Sequence, residues 1–284
     1  MDNSNIKLIQ WNIRSAKQNK CNLELLVENH KPTIIALQET YLNNEINFNM
    51  TNYSIERKDR NTRGGGVLIA IDKRYPYNII KIESELEVIG INIILKGNNF
   101  SIVNIYIPPD HNLKEQELIN ISNQIEKNFL MVGDFNSHNP LWYSNNLNKK
   151  GEVIERWIER LNLIVLNKNE NTYYGHQINK PSKIDLAITN LHNSLEWKWN
   201  AGEELFGSDH LPIILLSESN QPSYSSKTHK MKTNYRNRNY KELNKLPKLN
   251  EVKGGNIEDL NKSITSYLNS STAPPPKSLK KTEP

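Results

Sequence analysis

The sequence predicts an α/β sandwich in which two mainly antiparallel sheets pack face to face with helices outside. About ten short runs have the apolar or alternating composition of strands, whereas only three segments have helical spacing. Several links between the runs carry turn chemistry, which favours antiparallel neighbours. Three helices are too few for a doubly wound sheet. The predicted sandwich extends from Ile6 to about Leu216.

The predicted strands are bounded by polar or turn-forming residues. In chain order they are Ile6–Trp11, Thr33–Leu37, Tyr53–Arg57, Val67–Ile71, Val88–Leu95, Ser101–Ile107, Phe129–Val132, Leu163–Leu166, Ile184–Ile188 and Leu211–Leu216. The predicted helices carry apolar residues three and four positions apart, on one face. They are Leu23–Asn29, Leu113–Glu126 and Glu152–Leu161.

The composition indicates a soluble protein with one large core. Of the 284 residues, 36% are hydrophobic and 24% are charged, and the mean hydropathy is −0.69. No apolar run approaches the roughly 20 residues that span a bilayer, so we expect no membrane association. The first twelve residues lack the pattern of a secretion signal, and we expect no secretion. Cys21 is the sole cysteine, which excludes an internal disulfide and a cysteine-based zinc site.

Charge is distributed unevenly along the chain. Residues 217–284 carry 13 Lys or Arg against 6 Asp or Glu, a net charge of +7, which leaves −2 of the total +5 for residues 1–216. We predict a folded domain over 1–216 and a basic, partly disordered linker or tail over 217–284, with a short helix near 257–268. The basic tail could attract a polyanion, or it could simply stay solvated.

Six short polar clusters accompany the predicted strands. They are Gln10-Trp11-Asn12, Gln38-Glu39-Thr40, Asn104-Ile105-Tyr106, Gly133 to His138, Lys183-Ile184-Asp185 and Ser208-Asp209-His210. Each is placed at or just beyond the C-terminal end of a strand, except the last cluster, which precedes one. If these strand ends converge on one edge of the sandwich, a divalent metal and a phosphate could bind there.

Individual residues in the clusters suit phosphate ester chemistry. Glu39 offers the hard oxygen that Mg²⁺ prefers, although a Glu after a strand is usually a solvated surface residue. Asp134 and Asn136 flank Phe135, and alternation places both polar side chains on one side. The carboxylate could bind metal or accept a proton from water, and the amide could donate to a phosphoryl oxygen. The same Asp-x-Asn pattern also occurs in ordinary turns.

A histidine held by a carboxylate is oriented and more readily charged. Asp209 is a poor partner for His210 because adjacent extended residues point in opposite directions, so we predict that Asp185 holds it. A structural histidine is the alternative. Asn12 and Tyr106 are weaker candidates, and His138 could contact phosphate or cap the following helix. The glycines of 64–66 precede a strand rather than a helix, which argues against a phosphate-binding loop.

The ordered set of motifs resembles the endonuclease/exonuclease/phosphatase superfamily. Gly133-Asp-Phe-Asn-Ser-His-Asn-Pro-Leu-Trp142, Asn148-Lys-Lys-Gly151 and Leu161 to Asn167 are similar, within it, to the endonuclease domain of jockey-like non-LTR retrotransposons. The resemblance covers about Ile6 to Leu216. It implies a four-layered α/β sandwich that cleaves phosphate esters with Mg²⁺ or Mn²⁺.

The resemblance also implies a role for each matching residue. Glu39 would bind the metal with help from Asn12 and Asp209, and Asp134 would position the attacking water. Asn136 and Tyr106 would hold the scissile phosphate, and His210 paired with Asp185 would stabilise its developing charge. This list of roles predicts in-line hydrolysis that leaves a 3′-hydroxyl and a 5′-phosphate.

The implied substrate is double-stranded chromosomal DNA, so we expect nuclear action after cytoplasmic synthesis. The implied partners are a reverse transcriptase domain and the element RNA, neither of which this chain supplies. Repair-type abasic-site endonucleases carry an acidic residue at the position of Arg14, which favours the retrotransposon interpretation. Two alternatives stay open: an abasic-site nuclease or other phosphoesterase of this fold, and an inactive nucleic-acid-binding remnant.

Overall fold

The computed structural model describes residues 6–60, 62, 64–175, 181–194 and 197–217. The predicted tail over 217–284 lies almost entirely outside the described residues, as does the helix predicted near 257–268. Both stay predictions, together with the domain boundary at residue 216.

Twelve strands and four helices lie within the described part of the chain. The strands are β1 (Lys7–Asn12), β2 (Ile34–Gln38), β3 (Tyr53–Lys58), β4 (Val67–Asp72), β5 (Tyr77–Ile80), β6 (Glu87–Leu95), β7 (Asn98–Tyr106), β8 (Phe129–Asp134), β9 (Leu163–Val165), β10 (Asp185–Asn190), β11 (Trp197–Ala201) and β12 (Ile213–Ser217). The helices are α1 (Lys20–His30), α2 (Glu115–Ser122), α3 (Lys149–Leu161) and the single turn α4 (Leu191–Ser194).

The strands form two six-stranded sheets. Their orders are β11-β12-β1-β2-β4-β3 and β5-β6-β7-β8-β10-β9. In each sheet the described pairing contains one parallel pair, β1 with β2 and β7 with β8, and the other neighbours are antiparallel. The prediction of two mainly antiparallel sheets is confirmed.

Alternation along the strands divides the core into layers. One apolar cluster, which includes Leu8, Ile34, Ile102 and Leu130, fills the space between the sheets. Separate clusters form under α1 on the outer face of the first sheet and under α2 and α3 on the outer face of the second. The predicted arrangement of helix, sheet, sheet and helix is therefore confirmed.

Two strands escape the sequence analysis because their signals are weak. β5 is an edge strand in which Asn78 and Ile79 are exposed, so no burial pattern marks it. β11, also at an edge, alternates buried Trp197 and Trp199 with polar residues over five positions, too short a run to stand out. The three predicted helices are present, although α2 is shorter than the predicted Leu113–Glu126 because its last residues lead into the turn before β8.

Strand direction brings the polar clusters to one edge. The parallel pairs end together, which places Asn12 beside Gln38 and Tyr106 beside Asp134. Asp185 does not follow a strand as predicted but begins β10, and antiparallel pairing sets it opposite Asp134. β12 is likewise antiparallel to β1, so the segment before it returns to the same edge.

Candidate active site

Two strained residues aim polar side chains into the edge where the strands end. Glu39 follows β2 with a φ of 48°, and Asn136 follows β8 with a φ of 45°. Both lie in the left-handed region, which asparagine tolerates and glutamate rarely adopts. Simple alternation would send Glu39 to the outer face with Leu37. Its carboxylate instead reaches side chains of both sheets. Such strain is retained where the surrounding structure enforces it, which is common at functional sites.

Glu39 lies at the centre of a hydrogen-bond cluster that joins the two sheets. Its Oε1 accepts from Asn12 Nδ2 at 3.1 Å and from the Tyr106 hydroxyl at 2.9 Å. The Tyr41 hydroxyl donates to the other oxygen. Asn12 Nδ2 also donates to Asp134 Oδ2 at 2.9 Å, so one amide connects the two carboxylates.

Asp134 and Asn136 form a closed turn at the end of β8. The Asn136 backbone N–H donates to Asp134 Oδ1 at 3.0 Å, and Asn136 Nδ2 donates to Asp134 Oδ2 at 3.2 Å and to the Ile107 carbonyl at 3.0 Å. Phe135 is fully buried in the outer layer of the second sheet. The predicted placement of both polar side chains on one side is observed, and it coincides with the Asx turn that was its alternative.

His210 pairs with Asp185, as predicted, and not with Asp209. Its Nδ1 lies 2.9 Å from Asp185 Oδ2, and because a carboxylate can only accept, Nδ1 carries the proton. Its Nε2 faces Asp134 Oδ2 across 3.8 Å, beyond hydrogen-bond distance. The Trp11 indole donates to the His210 carbonyl at 3.0 Å, and the Tyr173 ring packs against the imidazole at 4.7 Å.

Burial and neighbouring charges shift the protonation of this pair. Burial is the largest influence on Asp134 and raises the pKa of its carboxyl to about 7, against the opposing effect of the His210 charge. Burial lowers the pKa of His210, but the charge and hydrogen bond of Asp185 outweigh it with help from Asp134, and the pKa of His210 is about 9. His210 is therefore an imidazolium at neutral pH. Burial and Glu39 also raise the pKa of Tyr106, which stays a protonated phenol.

The residues at this edge fit a divalent metal. Asn12 Oδ1 is buried without a hydrogen-bond partner among the described residues, next to the Glu39 carboxylate. An unpaired buried oxygen costs free energy that a hard cation would recover. Asp134, Asp185 and His210 also offer ligand atoms within 4.8 Å of one another, all buried. The geometry accommodates a metal at this edge, and the assignment of Glu39, Asn12 and Asp209 as its ligands stays a prediction.

Asp209 lies at the same rim but has a partner that the sequence analysis did not identify. Its Oδ2 accepts from Arg14 Nη1 at 2.6 Å, and the Arg14 side chain is 43% exposed. Arg14 also interacts with the Tyr41 hydroxyl. As a metal ligand, Asp209 would have to share its carboxylate with this guanidinium.

His138 does not cap α3, and its contact with phosphate stays a prediction. Asn148 caps α3 with its side chain, which accepts from the backbone N–H groups of Gly151 and His138. The His138 imidazole contacts the Ser144 hydroxyl at 3.0 Å. Residues 64–66 lie between the paired strands β3 and β4, so they precede a strand, as predicted.

Besides Arg14, the contacts of Tyr41 and of the buried amides Gln10, Gln38 and Asn104 were not predicted from the sequence. Tyr41 follows Glu39 by two residues in a left-handed conformation that no local pattern indicates. The amides did carry a signal, since each interrupts an otherwise apolar inward face of its strand.

Comparison with solved structures identifies the fold. The endonuclease domain of TRAS1, a telomere-specific non-LTR retrotransposon, superposes with a TM-score of 0.66 at 16% identity, over 75% of this chain and 98% of that one. An AP endonuclease from Archaeoglobus fulgidus superposes with a TM-score of 0.61 at 16% identity, over 75% and 99%. The fold is therefore the endonuclease/exonuclease/phosphatase sandwich of nucleases and phosphodiesterases, as the motifs predicted.

Comparison with known sequences shows which proteins of this fold the chain resembles. A family model described as endonuclease-reverse transcriptase matches residues 100–214. The probable RNA-directed DNA polymerase from transposon X-element of Drosophila melanogaster is 23% identical over 227 residues, which cover 77% of this chain and 25% of that protein. The predicted resemblance to non-LTR retrotransposon endonucleases is thus confirmed. The chain spans about a quarter of the length of the curated relatives that it matches.

Among the described residues, none of the helices has the length and apolar character needed to cross a membrane.

Proposed function

We propose that this chain is a metal-dependent endonuclease that nicks double-stranded DNA and leaves a 3′-hydroxyl and a 5′-phosphate. One observation carries the proposal. The imidazolium of His210, held by Asp185, faces the Asp134 carboxylate across a 3.8 Å gap that no direct hydrogen bond closes. An acid and a base set against each other at a polar edge are the groups that in-line attack of water on a phosphodiester requires.

In the proposed reaction, Asp134 orients the attacking water and accepts its proton. Its pKa of about 7 suits a general base near neutral pH. His210 donates a hydrogen bond from Nε2 to the phosphoryl oxygens and stabilises the charge that develops on them. As water attacks, the bond from phosphorus to the 3′-oxygen breaks, and this oxygen takes a proton from solvent. Asp185 keeps the imidazole oriented and charged throughout.

Glu39 and Asn12, with Asp209 at the rim, would hold the metal. Bound Mg²⁺ or Mn²⁺ supplies Lewis acidity that polarises the phosphate. Asn12 already donates to Glu39 and Asp134 through Nδ2, which leaves its unpaired Oδ1 available as a ligand.

The two proposed phosphate contacts need a local exchange of partners. The Tyr106 hydroxyl donates to Glu39, and the amide hydrogens of Asn136 are directed to Ile107 and Asp134. To hold the scissile phosphate, each must give up a hydrogen bond inside the cluster. Substrate binding would therefore exchange existing hydrogen bonds of Tyr106 and Asn136 for bonds to phosphate, and it would remove few water-exposed donors from solvent.

The relatives support a role within a retroelement. TRAS1 is described as a non-LTR retrotransposon and the X-element protein as an RNA-directed DNA polymerase. We propose that the 3′-hydroxyl left by nicking primes reverse transcription by a polymerase domain outside this chain, on element RNA and at nuclear chromosomal DNA. Arg14 stands at the position where repair-type abasic-site endonucleases carry an acidic residue, which favours the retroelement role over abasic-site repair.

The test is nicking of supercoiled plasmid with Mg²⁺, with EDTA, and with paired variants. His210→Ala should lower the rate by about a hundredfold or more, because the loss of one donor that stabilises developing charge costs on that order. His192→Ala, at an exposed histidine of α4, should nick like the wild type. Asp134→Asn should abolish nicking, whereas Asp72→Asn, at the opposite end of the strands, should not.

The products and alternative substrates complete the test. A DNA polymerase should extend from the nick without prior treatment, because the proposed product carries a 3′-hydroxyl. If intact plasmid survives while abasic oligonucleotides are cut, the chain is an abasic-site nuclease. If DNA is retained but never cut in Mg²⁺ or Mn²⁺, it is an inactive binding remnant.

A further inference from the structure

Three buried carboxamide side chains lie directly beneath the candidate active site. We call Gln10, Gln38 and Asn104 the carboxamide layer, and each is at most 1% exposed. Gln10 precedes Asn12 by two residues on β1, and Asn104 precedes Tyr106 by two residues on β7. Alternation therefore places the layer on the same inward faces as the site, one step deeper.

The layer is joined by hydrogen bonds that run from one sheet to the other. Gln10 Nε2 donates to Asp185 Oδ1 at 3.0 Å and to Gln38 Oε1 at 2.8 Å. Gln38 Nε2 donates to Asn104 Oδ1 at 2.5 Å. Asn104 Nδ2 donates to two backbone carbonyls, one on β2 at 2.8 Å and one on β4 at 2.9 Å.

The chemistry of the acceptors fixes the orientation of these amides. Carboxylates and peptide carbonyls only accept hydrogen bonds, so the amide nitrogens of Gln10 and Asn104 must face them. Gln38 then has its oxygen towards Gln10 and its nitrogen towards Asn104. A rotated amide anywhere in the layer would place two donors or two acceptors face to face in a buried site, which is costly.

Asp185 is the point where the layer meets the site. One carboxylate oxygen holds His210 Nδ1 at 2.9 Å, and the other accepts from Gln10. The terminal torsion of an aspartate side chain has broad minima, so a single hydrogen bond would leave the plane of this carboxylate loosely set. The second contact determines that plane.

We propose that Gln10, supported by the carboxamide layer, is a positioning residue that fixes the Asp185 carboxylate and through it the His210 imidazole. This inference rests on the proposed nuclease function and adds a residue to its machinery. It differs from a purely structural role for buried amides, because only Gln10 of the layer touches Asp185. Loss of Gln10 should therefore affect turnover more than loss of Gln38.

The kinetic test compares Gln10→Met with Gln38→Met in plasmid nicking. Gln10→Met should lower kcat about tenfold with KM unchanged, the size expected when the support of a functional group is removed. Gln38→Met should lower the melting temperature by a similar amount but should lower kcat less than Gln10→Met does. Ser101→Ala removes a buried inter-strand hydrogen bond at the far end of β7 and should leave kcat unchanged.

A double-variant comparison isolates the coupling. In an Asp185→Asn background, Gln10→Met should cause no further loss of kcat, because both changes act on the same contact. If Gln10→Met does not fold, Gln10→Asn keeps the amide but shortens its reach and should lower kcat similarly. Equal kcat losses for Gln10→Met and Gln38→Met, or full additivity with Asp185→Asn, would overturn the inference.

Proton NMR of ¹⁵N-histidine-labelled protein gives a readout that does not depend on activity. The His210 Nδ1 proton, in its hydrogen bond to Asp185, should appear far downfield in the wild type and should broaden or exchange faster in Gln10→Met. An unchanged resonance in that variant refutes the role of Gln10. A wild-type protein that never nicks DNA refutes the proposed function instead, and the resonance still decides about Gln10.

Discussion

Replacing Asp134 by asparagine should change the pH dependence of stability in a direction that the site geometry fixes. The pKa of this carboxyl is raised from 3.8 to about 7 in the folded protein, chiefly by burial. Between these values the folded protein holds a proton that the unfolded chain has lost, so wild-type stability falls as the pH rises towards 7. Asparagine has no proton to lose. The variant should therefore gain stability relative to the wild type between pH 5 and pH 8.

The size of this gain in stability follows from the pH range over which the folded and unfolded states differ in the protonation of residue 134. From pH 5 to pH 7 the unfolded carboxyl is ionised while the folded one is largely protonated. Two pH units at roughly 1.4 kcal/mol each amount to a few kcal/mol. For a domain of this size that corresponds to a relative shift in melting temperature of about 5 to 10 °C. Hydrogen bonds that asparagine cannot reproduce lower its stability equally at both pH values and cancel from the difference.

The assay is thermal unfolding of wild type and Asp134→Asn in metal-free buffer at pH 5 and pH 8. Asp72→Asn is the matched control. Hydrogen bonds from Arg74 lower the pKa of Asp72 below its ordinary value of 3.8. At pH 5 and at pH 8 the Asp72 carboxylate therefore stabilises the folded protein fully, so Asp72→Asn should lose the same stability at both pH values. The measured quantity is the melting temperature of Asp134→Asn minus that of the wild type. If this difference is the same at pH 5 and pH 8, or is less favourable to the variant at pH 8, no desolvated carboxylate is held at this edge.

Four further outcomes follow from individual contacts. Gly133→Ala would place a Cβ 1.8 Å from the Ile105 carbonyl oxygen at a φ of +155°, and urea unfolding should show a loss of about 3 kcal/mol; near-wild-type stability would contradict this packing. Asn148→Ala removes the side-chain cap of α3 and should cost about 1 kcal/mol in the same assay, so no loss would exclude the cap. Mg²⁺ should raise the melting temperature of the wild type but not of Glu39→Gln, since a ligand that binds the folded state stabilises it; an equal rise in both would remove Glu39 from the metal site. Tyr106→Phe should keep its fold and slow nicking about tenfold, the scale of a lost hydrogen bond of roughly 1.4 kcal/mol, and an unchanged rate would assign Tyr106 to packing alone.

Most of the fold is predictable from the sequence because buried strands carry a strong hydrophobic signal. Strands such as β4 and β8 are buried at every position, begin with an apolar run and lie inside their sheets, where both faces are covered. β5 and β11 lie at sheet edges, where partial exposure removes that signal. The one-turn helix α4 is too short to show the helical repeat of apolar residues.

Contacts in the candidate site could be predicted where the alternation of side chains along an extended segment decides which way a residue points. Alternation assigned His210 to Asp185 rather than to its neighbour, and the contact is observed. The left-handed backbones of Glu39 and Asn136 could not be predicted, because tertiary contacts enforce them against local preference. The Arg14–Asp209 pair joins loops 195 positions apart, and no local pattern specifies such a contact.

The position of β12 bears on how the molecule is made. This last described strand inserts between β11 and β1, and the segment just before it delivers His210. A nascent chain on the ribosome can build the second sheet early, yet β1 stays unpaired on one side until residue 217 has emerged. Incomplete translation products that stop before residue 210 would therefore lack the imidazole that pairs with Asp185, whatever other elements they had formed.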